Sequence, residues 1–128
     1  MKYKKYLTEQ VTKQQLDGLE KTLDALFKSL HIDIEFTKHF FDRVNDKRNK
    51  RDITIPELQA LFSKTYARYG KKLLTYGDGM EAVLDDLQTD INIPFVLRWN
   101  RRTKMVELIS KTVMRKKNFL TRDVKLKL

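Results

Sequence analysis

Leu16, Leu19, Leu23, Leu26 and Leu30 recur at steps of three and four through "TKQQLDGLEKTLDALFKSL", which predicts one amphipathic helix with a single apolar stripe. Thr12 and Gln15 supply a capping box at its start, and Gly18 is its one weak helix former. "HIDIEF" alternates as a strand or an extended connector would. In "TKHFFDRVND" Thr37 is placed to cap a second helix with Phe40, Phe41 and Val44 inward, and the charged loop "NDKRNKRD" follows. The plainest boundaries belong to "TIPELQALFSKTYARYG": Thr54 caps, Pro56 sits in the first turn, Glu57 closes a capping box and Gly70 marks the stop. "MEAVLDDLQ" spaces Met80, Val83, Leu84 and Leu87 as a short helix with Asp78 as cap, at a length that also suits a strand.

Beyond residue 90 the period changes. "NIPFVLRW" and "KMVELISKTVMR" are β-rich runs joined by a hairpin-sized "NRRT", and "DVKLKL" alternates strictly. Helices first and strands last predict an α+β fold, with N-terminal helices packed on a small C-terminal antiparallel sheet. The chain of 128 residues is the size of one domain: a basic leader over 1–10, a mainly helical part over 11–90, and a basic, β-rich part over 91–128.

Charge changes the picture. The net charge is +10, yet residues 1–97 carry 16 Lys/Arg against 15 Asp/Glu while residues 98–128 carry 11 against 2. Such an end attracts phosphate backbones or acidic protein surfaces, or serves only as a solubilising tail. With no cysteine, the chain has no disulfide, thiolate zinc site or cysteine nucleophile, in keeping with a reducing compartment. No apolar run makes a signal peptide or membrane span, so a protein of the cytoplasm without membrane association is expected.

Candidate chemistry is sparse. "YGDGM" fits no phosphate-binding glycine motif, and no cofactor is expected. Two histidines leave little for a transition metal; Asp85, Asp86 and Asp90 have oxygens for magnesium but read first as a solvated helix face, so no metal is expected. His39 and Arg43 stand four apart on one face of the second helix, a proton-transfer group beside a cation, although exposed charge pairs are mostly inert. If "KMVELISKTVMRKK" is one strand, period two sends Lys111 and Arg115 to the same face, ~13 Å apart at ~3.3 Å per residue, and Thr112 to the other unless a bulge intervenes. Metal-free RNA cleavage needs a base, an acid and cations around a crowded phosphate. His39, Arg43, Lys111, Thr112 and Arg115 are the candidates for that work; Arg98, Arg101, Arg102, Lys104, Lys116 and Lys117 are those for nucleic-acid binding. Trp99, Phe95, Tyr66, Tyr69 and Phe119 are either base-stacking rings or core.

The segments "IEFTKHFFDRVNDKRN", "ITIPELQALF", "INIPFVL" and "SKTVMRKKNF", in that order, resemble a family of small tailed-bacteriophage proteins over roughly residues 11–119. That resemblance implies a source and a host-cytoplasmic location more than a function. The arrangement of a His/Arg helix before a basic sheet also resembles, in architecture, the RelE, barnase, EndoU and colicin superfamily of metal-independent ribonucleases. By that likeness His39, Arg43, Lys111, Thr112 and Arg115 correspond to an active site, although the basic sheet lacks the histidine or tyrosine some relatives carry there. The expectation is a phage RNA-directed protein built as a metal-independent endoribonuclease. The alternatives are a non-catalytic nucleic-acid-binding or packaging protein, and an inhibitor whose basic sheet binds an acidic host protein.

Overall fold

Both predicted capping boxes close in the computed structural model, which describes residues 10–128; the basic leader lies outside the described residues except for Gln10. Thr12 Oγ1 accepts from the Gln15 amide and Gln15 Oε1 from the Thr12 amide, starting α1 (Lys13–Phe27). Thr54 and Glu57 do the same for α3 (Ile55–Leu73). Between them lie β1 (Ile32–Phe36), which is a strand, and α2 (Lys38–Val44), capped by Thr37, with Phe40 and Val44 buried and Phe41 partly so. α3 runs past Gly70, which is buried where a Cβ would lie 2.7 Å from the Leu30 side chain. That glycine lets the 3-10 turn after α1 (Lys28–Leu30) approach; it does not stop the helix.

The rest is β2 (Glu81–Asp86), β3 (Ile91–Asn100), β4 (Met105–Ser110), β5 (Met114–Arg115) and β6 (Val124–Lys127). The short helix expected over "MEAVLDDLQ" is therefore strand β2, and Asp78 caps no helix but accepts from the Trp99 amide. β2 lies between β3 and β6, and Ala82 through Asp86 are all buried, so no polar face breaks the run into alternation. Asp85 and Asp86 are buried strand neighbours on opposite faces, not a solvated helix surface, and Asp86 takes Lys64 of α3 as partner.

The sheet has the order β1-β4-β3-β2-β6, with antiparallel pairs in its middle and a parallel strand at each edge. α1 and α3 pack together over one face, meeting rows such as Phe36–Ser110–Phe95–Ala82 and Ile34–Leu108–Leu97. The opposite face carries Glu81, Val96, Arg98, Glu107, Ile109 and Lys111. The architecture is α+β, and no helix among the described residues is long and apolar enough to cross a membrane.

The outer edge of β1 is closed by carboxylates. Asp24 Oδ1 accepts from the Ile34 amide at 2.7 Å and Glu20 Oε2 from the Phe36 amide at 3.1 Å. Four helical residues rise ~6 Å and two strand residues ~6.6 Å, so the i, i+4 spacing on α1 matches the i, i+2 amides of the strand. The match blocks edge-to-edge pairing. Burial pushes both carboxyls above their ordinary values, and the amide hydrogen bonds offset only part of that push. The native state thus holds these protons to a higher pH than the unfolded chain does. Their contribution to stability is greatest below the ordinary carboxylate range and shrinks as pH rises through the raised native values.

Asp24→Ala strips the acceptor from the Ile34 amide and is expected to cost about 1–3 kcal/mol in urea unfolding at neutral pH. Asp24→Asn retains an oxygen acceptor without the charge; it should cost less, and flatten the pH dependence of the urea midpoint in acid.

Candidate functional site

β4 and β5 are one strand broken by a bulge. Ser110 is opposite Phe95 and the Lys111 amide donates to Pro94, but Met114 is opposite Asn92 and Arg115 opposite Ile91. Four steps on this strand face three on β3, so one residue is extra and the side-chain alternation is inverted beyond it. Lys111 stays in the row of Glu107 and Ile109 and meets Glu81 at 2.8 Å on the helix-free face. Arg115 enters the helix-side row with Ile91. The expected common face for Lys111 and Arg115 is therefore absent.

Arg115 is a brace. Its side chain is 8% exposed and donates to both Glu57 oxygens, at 2.9 and 3.3 Å, and to the carbonyls of Thr89 and Asp52. Burial acts to raise the Glu57 carboxyl, but hydrogen bonds from Arg115 and the Thr54 amide, together with the charges of Arg115 and Arg51, bring it below its ordinary value. Asn49, also buried, ties the same strand to α2: its amide nitrogen donates to the Arg43 and Val44 carbonyls while its oxygen accepts from the Arg115 amide. At the other end of α2, Thr37 donates from Oγ1 to the Lys111 carbonyl and from its amide to the Ser110 carbonyl.

Held at both ends, α2 stands off the bulge and leaves a cleft of about 860 Å³. His39, Arg43, Thr112 and Arg115 line it together; Lys111 does not. Arg48, Lys50, Lys116 and Lys117 complete six cationic side chains among the described residues that line it, against the carboxylates of Asp46 and Asp90. Asp46 is shared by Arg43 at 3.0 Å and Arg48 at 2.9 Å, and Arg115 is matched by Glu57. Lys50, Lys116 and Lys117 are exposed and enter none of the ion pairs among the described residues. The cleft therefore favours an anion. His39 is exposed in it, with Nε2 accepting from Arg43 Nε at 3.4 Å.

The other expected nucleic-acid residues divide. Lys116 and Lys117 belong to the cleft, whereas Arg101, Arg102 and Lys104 form the turn at the far end of β3, and Arg98 lies on the helix-free face opposite Glu107. Of the rings, Phe95 is core, Tyr66 packs edge-on to Phe27, the Tyr69 hydroxyl donates to the Lys127 carbonyl, and none lines the cleft. Sequence reasoning missed Arg48, Lys50 and the organising Asn49, which stand in a stretch whose only visible signal is polarity.

Because the Glu57 carboxyl titrates lower in the native state, its contribution is present above the ordinary carboxylate value and lost as pH falls through the lowered one. Glu57→Gln is expected to lower the urea midpoint at neutral pH. The difference from the parent should shrink as acid protonates the native Glu57; a constant difference would mean the Arg115 charge needs no partner.

Comparison with protein-family models, curated proteins and solved structures finds no match to this chain, so function has to be argued from the cleft's own chemistry.

Proposed function

We propose that this protein is RNA-directed and that the cleft between α2 and the bulge holds the phosphate backbone. The observation that carries the reading is the cleft's charge: among the described residues that line it, six cationic side chains face two carboxylates, and three of the cations are exposed lysines outside any described ion pair. Flexible ammonium groups suit a polyanion whose phosphates differ in position from one sequence to another. With no Phe, Tyr or Trp among the described residues that line the cleft, binding there is to backbone and carries little base preference.

His39 supports a second reading, cleavage. It is the only imidazole among the described residues that line the cleft, and it lies beside Arg43, with Thr112 in the same lining. A base able to take the 2′-hydroxyl proton next to a cation able to hold the phosphate is the minimum for metal-free strand scission. Lys111, engaged with Glu81, has no part in it, and Arg115 acts by fixing the strand.

Fluorescence anisotropy with an end-labelled single-stranded RNA should show affinity falling steeply between about 50 and about 200 mM salt, with Lys116→Ala and Lys117→Ala each lowering the log–log salt slope by roughly 0.7. Lys111→Ala should leave the slope unchanged. No binding at low salt, or equal losses from Lys111 and Lys116 variants, would sink the cleft as the binding site. Cleavage is read on the same RNA with chelator present: His39→Ala should stop it and retain binding, and RNA left intact by the parent protein would end the cleavage reading alone.

A further inference from the structure

Far from the cleft, β3 ends in a differently built surface. Trp99, the only tryptophan, is 47% exposed and belongs to none of the aromatic pairs among the described residues. Its backbone is fixed: the amide donates to Asp78 Oδ1 at 2.8 Å, and Gly79 N donates to the Leu97 carbonyl at 2.7 Å, lashing the loop before β2 to the strand. Trp99 borders a shallow hollow of about 160 Å³ with Tyr76, Asp78, Arg98 and Val106.

The turn that follows is cationic. Arg101, Arg102 and Lys104 are exposed, as is Arg98, and none of the four enters an ion pair among the described residues. Asn100 Oδ1 accepts from the Arg102 and Thr103 amides, so the turn is ordered. The acidic groups nearby are Asp78, occupied with the Trp99 amide, and Glu107, which accepts from Asn100 Nδ2. A half-open indole on a fixed backbone, followed directly by a cationic turn, offers what a stacked base and its phosphate require. Among the described residues the cleft is lined by cations without Phe, Tyr or Trp, whereas this end has an indole and cations.

We propose that Trp99 is a stacking platform for an unpaired base, with Arg101, Arg102 and Lys104 on the adjoining phosphates, forming a second contact on the nucleic acid held by the cleft. It rests on the RNA-directed reading above and narrows the ligand to single-stranded nucleic acid. Ile91, at the cleft end of β3, and Trp99 are eight residues apart, about 26 Å at ~3.3 Å per residue. One strand touching both ends must reach that far, roughly eight nucleotides at ~3.4 Å each.

The lone tryptophan reports on its own site. An oligouridylate of about twelve nucleotides is titrated into the full chain, following indole emission for the stack and anisotropy of the labelled oligonucleotide for total binding. Emission should be quenched along the same curve as anisotropy. A duplex of similar length should raise anisotropy without quenching. Trp99→Ala should weaken single-strand binding about ten-fold, and Trp99→Phe, which keeps a ring and the fold, should recover most of the loss. Oligonucleotide bound with unchanged emission, or quenched equally by the duplex, overturns the stacking site and leaves the cleft standing. Absence of binding by anisotropy removes both.

Discussion

The extra residue at 111–113 turns Arg115 into the row facing α3, and a guanidinium enclosed there needs an anion before the fold can close. Glu57 supplies it from the first turn of α3, where the same carboxylate already completes the capping box. One side chain thus starts the longest helix and anchors the bulged strand to it. Asn49 extends the anchor to α2, since its amide reaches the last carbonyls of that helix on one side and the Arg115 amide on the other. The cleft is the space left when these three attachments are satisfied. Its walls are consequently tied to one another, and its cations hang from that frame.

The helices were legible because their signals are local. A Thr three residues before Gln or Glu fixes a helix start by hydrogen bonds that need nothing distant. Strand β2 was not, because burial on both faces erases the alternation by which a strand is recognised, leaving Met80, Val83 and Leu84 at spacings that also suit a helix. The bulge was invisible for another reason: "SKTVMR" contains neither glycine nor proline to punctuate it, and only pairing with β3 shows that one residue is surplus. From that single miscount followed the misplacement of Arg115. His39, Arg43 and Thr112 line one cleft, but Asn49 is tied to Arg115, 66 residues away in sequence, which no local pattern encodes.

The two sheet edges are protected by unlike means. β1 has its amides taken by Glu20 and Asp24 at a cost in carboxylate desolvation, visible in their raised titration. β6 is short and carries Lys125 and Lys127, which repel a second strand by charge alone. With Glu81 and Glu107 beside Lys111 and Arg98, the helix-free face has no single sign of charge. A polyanion is not drawn to that face as a whole.

The strong charge asymmetry along the chain therefore becomes a spatial one in a different sense from a single basic cradle. β3 carries its ends to opposite sides of the sheet, so Lys116 and Lys117 accumulate at one and Arg101, Arg102 and Lys104 at the other. Two separated cationic ends discriminate by length: a short anion satisfies one and gains nothing from the second, while a chain long enough to reach both pays its association entropy once. On the RNA-directed reading proposed above, the span of one strand is what would select a polymer over its fragments.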